Sequence, residues 1–133
     1  MKGCIFFITT LLLTACMARA PYSDETMYDV ASHLKDVSQA VDGEIKFGDI
    51  ANLTHAQIIQ QAMASDPQKL DALKPYQLQL AIQGDHAVML LCDNDVALME
   101  DAGCNAAFDT PYWQDPKSDT CSVRLDAQTV CPE

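Results

Sequence analysis

Tyr76-Gln77-Leu78-Gln79-Leu80-Ala81-Ile82-Gln83-Gly84-Asp85-His86-Ala87-Val88-Met89-Leu90-Leu91-Cys92 is where the chain changes period. Tyr76, Leu78, Leu80 and Ile82 alternate with Gln77, Gln79, Ala81 and Gln83, as in a strand buried on one face. Gly84-Asp85 is a hairpin turn. From His86 to Cys92 a second, more fully apolar strand follows. An antiparallel hairpin is therefore expected here.

Upstream the period is helical. Met27, Val30, Leu34, Val37 and Val41 recur at three- and four-residue steps, so a helix should start near Ser23. Asp24 and Glu25 suit the positive end of its dipole, and Gly43 is the expected stop. A second helix follows Thr54, with Gln57 completing a capping box and Leu53 and Ile58 in staple positions. Ile58, Ile59, Ala62 and Met63 give it a buried side. Asp66-Pro67 opens a third helix that ends before Pro75. Downstream, Asp93-Asn94-Asp95 breaks the second strand. A short helix is expected over Val96–Ala102, closed by Gly103. Residues 105–120 read as a loop. Cys121, Val123 and Leu125 alternate as a last strand, with a turn at Asp126-Ala127. The fold class is α+β: N-terminal helices packed on a small antiparallel sheet, with a disulfide-stapled C-terminal half.

Residues 1–20 differ from the rest. Lys2 precedes an uncharged stretch from Gly3 to Ala18 that is too short for the roughly 18–20 residues of a bilayer span. It reads as a secretory signal. Leu13-Thr14-Ala15-Cys16 directly behind it resembles the lipobox of bacterial lipoproteins. That resemblance covers the signal alone; no family resemblance extends to the mature domain. It implies that residues 1–15 are removed, that Cys16 is acylated, and that residues 16–22 tether a single domain spanning 23–133. With Met17 rather than Asp after the Cys, the family's sorting rule implies the outer membrane, facing the periplasm. Contact with the membrane is then through the lipid alone. Ala18-Arg19-Ala20 offers a competing cleavage site that would release a soluble periplasmic or secreted protein from Pro21.

Six cysteines are present. Cys4 leaves with the signal, and Cys16 either takes the lipid or leaves as well. Cys92, Cys104, Cys121 and Cys131 remain, an even set that reads as two disulfides in an exported chain. Cys92–Cys104 with Cys121–Cys131 is the expected pairing, because each bond closes a short local loop at about 2.5–3 kcal/mol. No close C-x-x-C pair points to zinc or to a redox dithiol, so neither metal nor cofactor is expected.

The 133 residues are 49% apolar and carry a formal net charge of −11. That length supports one domain, and that charge disfavours nucleic acid and anionic lipid as ligands. His33, His55 and His86 form no metal or catalytic motif. Ser23, Ser32, Ser38, Ser65, Ser118 and Ser122 lack a nucleophile elbow. Asp93, Asp95, Glu100 and Asp101 cluster locally, but Ala97 and Leu98 break the calcium-loop pattern and a cap-and-turn role fits better. Asn52-Leu53-Thr54 matches a glycosylation sequon whose Thr54 already serves as a cap. No catalytic residue is assigned. Phe108, Tyr112 and Trp113 lie in the loop between cysteines and are the expected contact surface, with plugging of the core as the competing role. The expected function is a non-enzymatic envelope lipoprotein that binds another envelope protein or assists an assembly. An immunity or inhibitor protein directed at a basic toxin or enzyme is the alternative.

Overall fold

The computed structural model describes residues 22–105, 107, 110–115 and 120–132. The signal, Cys16, the tether up to Pro21, and Phe108 lie outside the described residues. Helix α1 (Asp24–Phe47) is followed by α2 (His55–Ala62), a 3₁₀ segment (Pro67–Leu73), strands β1 (Gln77–Gln83), β2 (His86–Asp93) and β3 (Val96–Ala102), a 3₁₀ turn (Tyr112–Gln114) and α3 (Ala127–Val130). The three strands form an antiparallel meander in the order β1-β2-β3. Among the described residues no helix is long and apolar enough to cross a membrane.

Helix α1 begins where the sequence places it. Ser23 is its N-cap, its Oγ accepting from the Thr26 amide. Met27, Val30, Leu34, Val37 and Val41 are all buried against the sheet. A second row, Ala31, Lys35, Ser38 and Asp42, is buried beside them. Gly43 does not end the helix, which runs on to Phe47 with Gly48 as its cap. A glycine inside a helix costs about 1 kcal/mol relative to Ala. Contacts on both sides outweigh that. Asp42 accepts from the Ala87 amide at 2.8 Å and pairs with Lys46, one turn on, at 2.7 Å.

In α2 the Thr54–Gln57 capping box is complete, and Ile58 is buried. The segment after Asp66-Pro67 is a 3₁₀ helix rather than an α-helix, and Asp66 makes no side-chain cap bond. Seven residues between two prolines leave little room for α-helical hydrogen bonds.

The β1–β2 hairpin turns at Gly84, whose φ is +65°, with Gln83 paired to His86. Val96–Ala102 is the largest correction: a third strand, not a helix. Asn94, at φ +52°, reverses the chain in two residues, and β3 pairs back along β2 with a register shift at Leu91/Cys92. Ala97 to Ala102 are all buried. A strand covered on both faces loses its alternation and cannot be told from a helix by periodicity.

One face of the sheet, with Leu80, Ala87, Met89, Leu91 and Leu98, packs on α1, α2 and the first 3₁₀ segment. The other face, with Val88, Leu90, Cys92, Ala97 and Ala102, is covered by the C-terminal segment through Val123, Leu125, Ala127 and Val130. Residues 122–126 have no regular secondary structure and join no ladder, so the expected last strand is absent. Side chains hold the segment's backbone instead. Gln79 Nε2 donates to the Cys121 carbonyl at 3.4 Å and Gln83 Nε2 to that of Leu125 at 2.8 Å. Gln83 Oε1 accepts from the Ala127 amide at 2.6 Å. Two of the glutamines that read as a solvent face are thus the attachment points of a cover. Asp126 caps the short α3 where a turn was expected, accepting from the Gln128 amide.

The disulfides follow from this cover. They are Cys92–Cys121 and Cys104–Cys131, not the local pairs expected from sequence. Each fastens the C-terminal segment to β2 or to the end of β3. Their sequence separations of 29 and 27 residues correspond to about 3.5 kcal/mol each by loop-closure entropy. The two loops interlock, so their contributions do not add.

Candidate functional site

The site candidate is a cleft where α1, β3 and the Thr110–Gln114 segment meet. Its volume is about 230 Å³, and its walls include Tyr28, Leu34, Met99, Pro111 and Trp113. Glu100 places this segment. Its backbone forms a two-way bridge with Thr110, at 3.2 and 3.3 Å. Pro111 then leads into the single turn that carries Tyr112 and Trp113.

Trp113 is the floor of the cleft. It is buried in the main core, and its indole N–H donates to Asp24 Oδ1 in the first turn of α1 at 2.9 Å. Tyr28, one turn along α1, meets it edge-on with ring centroids 5.2 Å apart. Gln114 Nε2 donates to the Tyr28 hydroxyl at 3.1 Å. The pair is held at both ends, yet Tyr28 is 45% exposed. It forms the accessible rim of an otherwise buried aromatic contact.

Of the residues singled out from sequence, Trp113 is therefore a core plug that also floors the cleft. Tyr112 faces the other side of the sheet, where its hydroxyl donates to Glu100 Oε2 at 2.9 Å and Arg124 sits 4.5 Å over its ring. Tyr112 and Trp113, adjacent in sequence, serve opposite layers. Tyr28 was missed, because on a helix edge it looks like any surface aromatic until the loop is brought against it.

The acidic cluster is divided by the pleat. Glu100 points toward the C-terminal cover and accepts from the Arg124 and Leu125 amides, both at 2.7 Å. Asp101 points toward α1 and pairs with Lys35 at 2.6 Å. Lys35 also donates to the carbonyls of Ala102 and Asn105. Asp93 accepts from the Tyr22 hydroxyl at 2.8 Å, which ties the end of the expected tether to the β2–β3 turn. Asn52 of the sequon sits in a turn with φ +65°. His33, partly buried on α1, lies 4.0 Å from Asp29, and His55 is in the exposed first turn of α2. His86 instead lies close to the Cys104 and Cys131 sulfurs, a meeting that no spacing in the sequence signals.

Two tyrosines have displaced titrations. Burial and the hydrogen bond to Asp93 push Tyr22 up to about 12, and burial with the Glu100 hydrogen bond raises Tyr112 from its ordinary value. The unfolded chain sheds these protons near pH 10 while the folded chain keeps them. Their contribution to stability is intact below pH 10 and declines as pH rises toward the folded values. We expect the urea midpoint to fall steadily between about pH 10 and 12 and the fall to be shallower in Tyr22→Phe. An unchanged slope in that variant would remove Tyr22 as a cause.

No protein-family model, no curated protein and no solved structure matches the chain.

Proposed function

We propose that the protein is a non-enzymatic, lipid-anchored envelope protein whose Tyr28–Trp113 cleft receives an apolar side chain of a partner protein. The supporting observation is the cleft itself. At about 230 Å³ it falls below the 300–1,000 Å³ typical of small-molecule sites, but it suits one large side chain. A fixed tyrosine over a buried tryptophan is the kind of rigid aromatic contact that dominates protein interfaces. The lipobox-like Leu13-Thr14-Ala15-Cys16 supports anchoring, through acyl chains that each contribute about 0.8 kcal/mol per buried CH₂. The placement proposed is the outer membrane, with the domain facing the periplasm.

A photo-crosslinking side chain at position 28 tests the cleft in living cells. One dominant adduct is expected there and none from the same probe at exposed Gln60. Tyr28→Ala should weaken the purified partner at least tenfold, in line with a hot-spot loss of about 2 kcal/mol, with little dependence on salt. Equal labelling from both positions, or full affinity without Tyr28, would sink the cleft. An intact mass lacking acyl groups on Cys16 would sink the anchor independently. The net charge of −11 favours a second reading, an immunity or inhibitor protein for a basic toxin or enzyme. That reading predicts steep weakening with salt and indifference to Tyr28.

A further inference from the structure

We propose that His86, Cys104 and Cys131 form a redox-gated site for a soft d¹⁰ cation, Zn²⁺ or Cu⁺, loaded when the Cys104–Cys131 disulfide is opened. One ligand atom from each residue lies within 4.8 Å of the other two. Around a tetrahedral cation with metal–sulfur bonds near 2.3 Å and metal–nitrogen bonds near 2.0 Å, ligand atoms sit roughly 3.5–4 Å apart. Once the sulfurs separate, the three donors need only small movements.

Contacts other than the disulfide also hold the two ends of the site. Gly103, beside Cys104, donates its amide to the Ala87 carbonyl at 3.0 Å. A methyl group at Gly103 would overlap the Ser38 carbonyl, so this corner is packed hard against α1. On the other side, the Ala127 amide is held by Gln83 and the Cys131 amide by the Ala127 carbonyl at 2.8 Å. Asn105 Nδ2 donates to the Val130 carbonyl at 3.4 Å. On the proposal, these contacts are what keeps both thiols beside the imidazole after reduction.

His86 is placed as a ligand would be. Its Nδ1 is buried with no hydrogen-bond partner, 3.6 Å from Asp42 Oδ1, and its Nε2 is 3.5 Å from Asp85 Oδ1. Carboxylates beside a ligating imidazole orient the ring and raise its basicity. A surface groove between the Gly84-Asp85 turn and Gln128–Pro132 reaches Cys131 and His86 from solvent. Two thiolates and one imidazole select soft cations over Mg²⁺ or Ca²⁺. The disulfide form carries no thiolate and is the closed state. Opening transfers two electrons and two protons from a dithiol, which leaves as its own disulfide. Metal entry then releases the two thiol protons.

The test uses the exported chain, reduced and desalted without oxygen. Zn²⁺ and Cu⁺ are titrated separately against chromophoric competitors, and Co²⁺ is used to read thiolate charge-transfer absorption. One equivalent of either cation is expected, with no tight binding by the oxidised chain. His86→Gln, which keeps all four thiols, should weaken binding at least tenfold. Cys104→Ser/Cys131→Ser should abolish it with the charge-transfer band. The proposal is overturned if neither cation binds, if oxidised protein binds equally, or if His86→Gln binds as wild type. It is also overturned if the reduced chain loses its helical circular dichroism and metal does not restore it.

Discussion

Lys35→Met is expected to destabilise the protein by about 3–5 kcal/mol, while Lys35→Met/Asp101→Leu recovers most of that loss. Both side chains of the pair are at least nine-tenths buried, and their charged atoms are 2.6 Å apart. Removing the ammonium takes the Lys35 cation from a buried carboxylate and the Lys35 hydrogen bonds from the carbonyls of Ala102 and Asn105. Removing both charges takes away the desolvation cost along with the attraction. Recovery is incomplete, because the two hydrogen bonds from Lys35 to those carbonyls are not replaced. Urea unfolding of the two variants and of Asp101→Leu gives the coupling directly. If the double variant loses as much as the two single losses together, the ion pair is not the cause.

Glu100→Ala is expected to cost about 3–4 kcal/mol, and its damage should be local in character. One carboxylate accepts from the amides of Arg124 and Leu125 and from the Tyr112 hydroxyl. It stands in for the neighbouring strand that residues 122–126 lack. Without it, two backbone donors lose their partner over an apolar sheet face. The cover remains tied through Cys92–Cys121 and Cys104–Cys131. Amide exchange should therefore quicken at Arg124 and Leu125 well before it quickens in β2. Glu100→Gln keeps one acceptor oxygen and should fall between wild type and Ala. Uniform acceleration across the sheet would show instead that Glu100 supports the whole fold rather than the cover.

Both predictions turn on polar residues inside the protein, and neither was legible as sequence. Lys35 and Asp42 sit one step off the apolar stripe of the first helix. Nothing in the stripe marks them as buried; the close approach at Gly103 does that. Glu100 and Asp101 looked like acids of a short helix. The pleat of a strand sends them to opposite layers. Tyr112 and Trp113 are divided in the same way by a single turn.

What the residues determined alone was local. The Met27–Val41 stripe, the Thr54–Gln57 box and the Gln77–Gln83 alternation each encode an element through contacts a few positions apart, and together they imply helices on an antiparallel sheet. Tertiary structure decided whatever depends on a second layer. Val96–Ala102 is a strand because β2 offers it a ladder. The glutamines of β1 are attachment points because the C-terminal segment returns over them. The cysteines pair across that layer because its packing brings their Cα atoms to 6.1 and 5.4 Å, whatever their spacing in the chain. Short-range periodicity records which side of an element is apolar, but it carries no record of what arrives from far along the chain to cover the other side.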